Sequence, residues 1–163
     1  MLIPINNTLL EQVNQQALDS DRHRSIFRFH QHEEPVQRMI NAIEPDSYVV
    51  PHKHEDPDKV EAFIILRGKA AVLCFDDNGT VIDWVLLDQA GGTPGVEIQP
   101  RTWHCLLALE PGTALYEVIE GPYENASHKT FASWAPPAEE VATGLNWLKT
   151  ALEKYHLRTE QVG

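Results

Sequence analysis

The feature that most constrains the fold is a run of short strand-like segments between Val36 and Ile119, separated by turn residues. Each segment is rich in β-branched or aromatic residues, and Gly, Pro, Asn or Asp follows it. The stretch 76–79, Asp-Asp-Asn-Gly, is a strong hairpin signal, because Asn and Gly adopt positive φ at low cost. Many short, closely spaced strands indicate an all-β sandwich or barrel. The predicted strands are 36–44, 47–54, 61–66, 70–75, 80–87, 96–98, 103–109 and 113–119.

Helical periodicity flanks this strand region on both sides. Apolar residues recur at helical spacing after Asn7 or Thr8, either of which can serve as the N-cap, and this first helix ends near Ser20. The segment 25–32 is short and alternating, which predicts an edge strand or an arm. Pro137 introduces a second predicted helix over about 138–155, after a loop-like stretch that starts at Tyr123.

Length and composition fit one domain. The chain has 163 residues, and 42% of them are hydrophobic, which is enough for one core. It has neither a long apolar run nor the blocks of a signal peptide, so we expect a cytoplasmic protein. The two cysteines, Cys74 and Cys105, do not suggest a disulfide framework. The predicted parts of this domain are a barrel core over about 36–123, an N-terminal helix and arm over 6–35, and a C-terminal tail and helix over 124–163.

The charge balance excludes two classes of partner. The chain carries 13 Lys and Arg against 24 Asp and Glu, a net charge of −11. Nucleic acids and anionic membranes are bound by clustered Lys and Arg, so we expect neither partner. No phosphate-binding loop, dinucleotide-binding glycine fingerprint or Cys-x-x-Cys motif supports another chemistry. The eight histidines are many for this length, and their local spacing has to decide their role.

The string 51–54, Pro-His-Lys-His, places two histidines two residues apart in a predicted strand. Residues two apart in a strand point to the same face, so the two rings project together. Glu61 begins the next predicted strand, and hairpin pairing would bring its carboxylate near them. His104 lies on a later strand, and closure of a barrel would place it opposite. Three imidazoles and one carboxylate suit a divalent transition metal with open positions. The predicted metal ligands are His52, His54, Glu61 and His104.

Other candidate ligands have simpler interpretations. A second His-x-His string, His30-Gln31-His32, precedes Pro35, and a polar edge or arm explains it more readily than a ligand pair. Three acidic residues lie in the loop before Glu61 and are interpreted as solvated charges: Glu55, Asp56 and Asp58. Three histidines in polar contexts are predicted to lie on the surface: His23, His128 and His156.

At the predicted ligands the chain resembles the cupin superfamily. The first cupin motif has His-x-His, then Glu, then six residues and Gly, and the residues that match it are His52, His54, Glu61 and Gly68. The gap before Glu61 is longer than usual. In the second motif His104 is present, but Gln99 and Arg101 stand where Pro and Gly are expected. The resemblance implies an all-β, cupin-type double-stranded β-helix (jelly-roll) barrel, here with an N-terminal and a C-terminal helix.

Further segments are similar to one branch of that superfamily, the WbuC-type cupin-fold metalloproteins. The similar segments lie within about residues 25–137 and are 35–39, 48–54, 103–104, 120–123 and 129–136. The resemblance implies an association with bacterial surface-polysaccharide (O-antigen) gene clusters, without an assigned reaction.

The same resemblance draws attention to four residues as substrate contacts: Arg38, Tyr123, Lys129 and Trp134. Arg38 and Lys129 would bind an anionic group such as a carboxylate or sugar phosphate. Tyr123 and Trp134 would stack on a ring. The alternative for each residue is an ordinary salt bridge or a packed tail that closes the barrel.

Three functions remain open at this point. The chain is a metalloenzyme for a sugar or small organic acid, a metal-dependent binding module without turnover, or a barrel with a purely structural metal. The ligand set admits iron, zinc, manganese, nickel or copper. Because a barrel with an N-terminal arm and exposed sheet often pairs through strands, we expect a homodimer.

Overall fold

The computed structural model describes residues 1–124 and 128–160, and of residues 156–160 it describes only the helical backbone. The predicted C-terminal part also includes residues 125–127 and 161–163, which lie outside the described residues, as does the side chain of His156. The elements within the described residues are α1 (Asn7–Leu18), β1 (Arg24–Arg28), β2 (Val36–Ile43), β3 (His52–Lys53), β4 (Glu61–Arg67), β5 (Ala70–Phe75), β6 (Val81–Leu87), β7 (Gly95–Ile98), β8 (Trp103–Ala108), β9 (Thr113–Glu120), β10 (Thr130–Phe131) and α2 (Val141–Glu160).

The strands form two antiparallel sheets that face each other. Sheet A has the order β1-β2-β9-β4-β7, and sheet B has the order β10-β3-β8-β5-β6. Strands far apart in the sequence are neighbours in both sheets: β9 lies between β2 and β4, and β8 lies between β3 and β5. Two facing antiparallel sheets with such crossovers form a jelly roll. The predicted all-β, cupin-type barrel with a helix at each end is confirmed.

The barrel interior is filled by alternate residues of both sheets, because successive side chains of a strand point to opposite faces. In β4, Phe63 and Ile65 point inward and are buried, with Glu61 at the start of the same line. The other buried residues of this interior core are Ile43, Ala70, Val72, Leu87, Ile98, Leu106, Ala108 and Leu115. The apolar core thus continues the line that the buried Glu61 begins.

The two helices cover the outer faces of the sheets. Helix α1 packs on sheet A through a buried cluster of Leu10, Val13, Ala17, Ile40, Ala42 and Ala114. Helix α2 packs on sheet B through a cluster that includes Leu148 and, from the strands, Leu73, Cys105 and Leu107. Neither helix of the described part of the chain is long and apolar enough to cross a membrane.

The predicted helix starts were wrong by a few residues. The N-cap of α1 is Asn6, whose extended backbone lets its side chain accept a hydrogen bond from the Leu9 amide at 3.0 Å. Helix α2 begins at Val141, because the preceding residues form a turn in which the Glu140 amide donates to the Pro137 carbonyl at 3.0 Å.

Two predicted strand regions also differ. The predicted strand 47–54 is reduced to β3, because Tyr48 leaves the sheet and buries its ring against α2, with its hydroxyl donating to the Pro136 carbonyl at 2.8 Å. Conversely, the loop-like stretch after Tyr123 contains β10, which pairs with β3. This short strand extends sheet B beside the predicted ligands.

Candidate metal centre

The four predicted metal ligands lie together inside the barrel, between the two sheets. His52 on β3 and His104 on β8 are directly paired in sheet B, and His54 follows β3. Glu61 faces them from the start of β4 in sheet A. One candidate ligand atom of each residue lies within 4.8 Å of the other three, and all four side chains are buried.

A backbone carbonyl holds each of the three imidazoles at its Nδ1 atom. The Nδ1 atoms of His52, His104 and His54 lie 3.0, 2.9 and 2.6 Å from the carbonyl oxygens of Val50, Thr102 and His128 respectively. Because a carbonyl oxygen only accepts, Nδ1 carries the hydrogen, and in a neutral ring Nε2 then presents a lone pair. This outer hydrogen bond is the one that orients histidines toward a metal.

The carboxylate of Glu61 lies where these Nε2 atoms converge. Its Oε2 atom is 2.9 Å from His104 Nε2 and 3.1 Å from His54 Nε2. The His104 contact lacks hydrogen-bond geometry, and the buried Nε2 atoms of His52 and His104 have no hydrogen-bond partner among the described residues. Lone pairs and a carboxylate that face one point repel each other unless a cation lies between them. The donor set therefore fits a divalent transition metal.

Burial and neighbouring groups keep two of these ligands in their metal-binding forms. Burial, followed by the charges of Lys129 and His104, holds the pKa of His52 well below its ordinary value, so the ring stays neutral. Burial acts to raise the pKa of Glu61, but its contacts with His104 and His54 outweigh burial and hold that pKa well below its ordinary value. The result is a neutral imidazole facing a carboxylate.

A second buried carboxyl group, which sequence reasoning did not identify, lies beside Glu61. Glu117 on β9 is 8% exposed, and Asn41 Nδ2 donates a hydrogen bond to its Oε2 atom. Burial and the charge of Glu61 raise the pKa of Glu117 to about 8, so this group is mostly protonated at neutral pH. The signal in the sequence is alternation: Glu117 lies between Leu115 and Ile119, which share its inward face.

Two of the four predicted substrate contacts lie away from the cluster. Arg38 pairs with Glu34 and donates to the Phe29 carbonyl at 3.3 Å, so the ordinary salt bridge describes it better than a substrate contact. Trp134 packs on the outer face of sheet B, with its ring centroid 5.4 Å from that of Phe75 and 5.7 Å from that of Trp103. The sheet separates Trp134 from the ligands, because the outward Trp103 alternates with the inward His104.

The other two predicted contacts lie near the cluster. The ring of Tyr123 is 4.6 Å from that of His128, which is 5.3 Å from that of His54. Lys129 acts on the cluster through its charge, which contributes to the lowered pKa of His52. His128 is half-buried, contrary to the surface position predicted, because β10 draws this segment against β3. Burial, followed by the charge of Lys129, lowers the pKa of His128 to about 3.

The second His-x-His string lies outside the barrel interior. His30 is 6% exposed, and its Nδ1 atom lies 2.7 Å from the Arg38 carbonyl oxygen. The ring of His32 packs against Tyr123, with a centroid distance of 4.7 Å. Neither histidine belongs to a group of candidate metal ligands in the described part of the chain.

Several solved structures are similar to this chain. CapF from Staphylococcus aureus, a capsular polysaccharide assembling protein, is 21% identical, with a TM-score of 0.54 over 69% of this chain and 30% of CapF. L-ribose isomerase from Cellulomonas parahominis is 15% identical, with a TM-score of 0.52 over 75% of this chain and 72% of the isomerase. A cupin superfamily protein from Desulfitobacterium hafniense is 11% identical, with a TM-score of 0.47 over 60% of this chain and 76% of that protein.

At these identities the likeness to CapF and the isomerase concerns the fold alone, and this chain spans less than a third of CapF. No sequence among curated proteins matches the chain. One family model does match, over residues 5–87, which is just over half of the chain and includes His52, His54 and Glu61. The chain belongs to the family described as a domain of unknown function, DUF6016.

Proposed function

We propose that this protein holds one divalent transition-metal ion on His52, His54, Glu61 and His104 and uses it to convert a small molecule, either a sugar or a small organic acid. The observation that carries the proposal is the orientation of the three imidazoles. Their Nδ1 atoms bind backbone carbonyls, the Nε2 atoms of His54 and His104 face Glu61, and His52 has a ligand atom within 4.8 Å of the others. When bound, such an ion supplies Lewis-acid polarisation of a ligand oxygen.

The surrounding residues have defined parts in this proposal. Glu61 supplies the negative charge, and His52 stays neutral and available as a ligand because of its burial. Glu117, mostly protonated at neutral pH, stabilises the Glu61 carboxylate through a hydrogen bond. On the His54 side, Lys129 and Tyr123 orient an anionic group or a ring of the substrate.

The proposed biological setting rests on the resemblance to WbuC-type proteins, which implies bacterial surface-polysaccharide (O-antigen) biosynthesis. CapF, a capsular polysaccharide assembling protein, has the same fold over 69% of this chain and offers an analogy only. The ligand set admits iron, zinc, manganese, nickel or copper, and availability decides occupancy.

We further propose that the protein is a homodimer. Strand β6 is an edge of sheet B and exposes two large apolar side chains, Ile82 at 54% and Leu86 at 37%. Exposed apolar edge strands pair readily with another copy. Light scattering at micromolar concentration is expected to give twice the chain mass, and a clean monomer would contradict this proposal.

Elemental analysis of protein purified without added metal tests the metal site. We expect close to one equivalent of a transition metal in the native chain and well below one in His52→Ala and in His104→Ala. His23→Ala is the matched control, because His23 is a surface ring that pairs with Asp46 at 2.7 Å. Full occupancy in both ligand variants would contradict the proposal. A metal-free protein that unfolds would favour a structural metal instead.

A further inference from the structure

A cleft of about 190 Å³ opens on the side of the sandwich where the edge strands β6 and β7 face each other. Its apolar walls are inward-facing side chains from both sheets: Val72, Val85, Val96 and Ile98. His104 forms part of the lining, so the cleft extends from the surface to one of the proposed metal ligands. A compound in this cleft therefore lies beside His104.

The polar groups of the cleft define which compounds it accepts. Asp83 is exposed, and Thr102 lines the cleft with it. Glu97 alternates with the inward Val96 and Ile98, so its carboxylate points away from the cleft and accepts a hydrogen bond from Gln99 Nε2 at 2.9 Å. Neither Lys nor Arg lines the cleft among the described residues. Lys129, the cation near the ligands, is not part of the lining either. The Asp83 carboxylate, with no basic residue in this lining, disfavours an anionic ligand.

Apolar walls with hydroxyl and carboxylate groups suit an uncharged compound that carries several hydroxyl groups. Its C–H faces would contact the valine and isoleucine side chains, and its hydroxyl groups would donate hydrogen bonds to Asp83 and bind Thr102. Burying a hydroxyl group without a partner costs free energy, so these polar groups also select against a purely apolar compound.

We propose that the cleft is the substrate site and that it takes a free, uncharged sugar or similar polyol, with one end beside His104. This inference rests on the proposed metal function and narrows it, because it selects the sugar over the organic acid. It also replaces the substrate contacts proposed above for Lys129 and Tyr123, neither of which lines the cleft. It also assigns substrate contacts to Asp83 and Thr102, which sequence reasoning did not identify.

A pair of probes that differ in one phosphate group tests the ligand class. Ribose and ribose 5-phosphate are titrated separately into the metal-containing protein, and binding is measured by calorimetry. We expect ribose to bind at least about tenfold more tightly, because Asp83 repels the phosphate and no basic residue of the lining offsets that repulsion. In Asp83→Lys the preference is expected to shrink or reverse. Absence of ribose binding, or a native preference for the phosphate, would overturn the inference.

Two further measurements locate the bound sugar. Val85→Trp places a large ring in the cleft and is expected to weaken ribose binding at least about tenfold, whereas Ile26→Trp, the control at an exposed position of β1 on the far edge of sheet A, leaves it unchanged. In the native chain, bound ribose is expected to slow alkylation of Cys74, which lines the cleft, while the fully buried Cys105 serves as the unreactive standard. Ribose binding without either effect would place the sugar elsewhere and overturn the inference.

Metal content, measured on the same samples, separates the two proposals. Bound metal with no ribose binding contradicts the cleft inference and leaves the metal function intact. Ribose binding with full affinity in metal-free protein that stays folded supports the cleft and contradicts the metal-dependent function.

Discussion

The two His-x-His strings of this chain have identical spacing and different structures. The string that ends at His54 includes β3, and its two rings lie 5.3 Å apart in the barrel interior. In the other string, His30 and His32 come after β1 has ended at Arg28, and their rings lie 6.4 Å apart. Spacing of two residues brings rings to a common point only where the chain is held as a strand against a neighbour.

The carboxylate near each string also differs. Among the described residues, neither Lys nor Arg lies within ion-pair distance of Glu61, so its charge faces the imidazole rings. Glu34, which is close to the second string, pairs with Arg38 and accepts a hydrogen bond from the Gln31 amide at 2.9 Å. A carboxylate that already has a cationic partner contributes little to a metal site. The comparison shows that the ion-pair partner of the nearby carboxylate, more than the His-x-His spacing, decides which string is a ligand pair.

The largest expected difference between the strings is in metal affinity. His54→Ala removes one of four ligands, and we expect metal affinity to fall at least about 100-fold, since disturbing even an outer-shell partner costs about 10–100-fold. The matching change in the other string, His32→Ala, is expected to leave the affinity within about twofold. Competition with a chelator of known affinity measures both values, and equal losses would show that the two strings share one site.

A smaller effect is expected for His30, whose role is structural. His30→Ala leaves a cavity and removes the ring that the Arg38 backbone contacts, so the free energy of unfolding is expected to fall by about 1–3 kcal/mol. The metal content should not change. Urea unfolding followed by fluorescence provides the free energy. A loss of metal in this variant would break the distinction between the strings.

The smallest effect concerns His128. Its ring contacts His54 of the first string and Tyr123, which packs against His32 of the second string. The pKa of His128 is about 3 in the folded protein and ordinarily 6.5, so the folded state binds fewer protons between these values. Stability from this group is therefore present above about pH 6.5 and is lost as the pH falls toward 3.

His128→Asn is expected to reduce that pH dependence by about 0.2 kcal/mol per pH unit, because solvent screens this half-buried group. Unfolding at several pH values, with chelator present in both proteins, measures the two slopes. The contribution of His52 remains in both and cancels in the comparison. A steeper slope in the variant would contradict a neutral His128 in the folded state.

Much of the barrel could be predicted from the sequence, because its signals are local. The strand that becomes β4 and the hairpin at 76–79 each depend on neighbouring residues alone. The prediction of a strand over 47–54 was wrong because Tyr48 packs against α2, which lies about a hundred residues later in the sequence. β10 was missed for the same reason: only its contact with β3 makes it a strand.

The candidate site also has features that the sequence predicts and features that it does not. Strand geometry and motif spacing identify side chains such as His52 and Glu61, since both are properties of the sequence near them. The carbonyl oxygens that orient the rings, such as that of His128, could not be predicted, because every residue has one and only the chain path selects it. The cleft depends on how β6 and β7 diverge between sheets, which no local pattern encodes.

The use of main-chain oxygens to hold all three imidazoles has a consequence for evolution. A side-chain acceptor is lost by a single substitution, whereas the carbonyls at positions 50, 102 and 128 persist whichever residue occupies them. Amino-acid substitutions at these positions therefore leave the ring orientation intact as long as the backbone path is kept. Distant homologues can preserve this ligand geometry after the surrounding sequence has diverged beyond recognition.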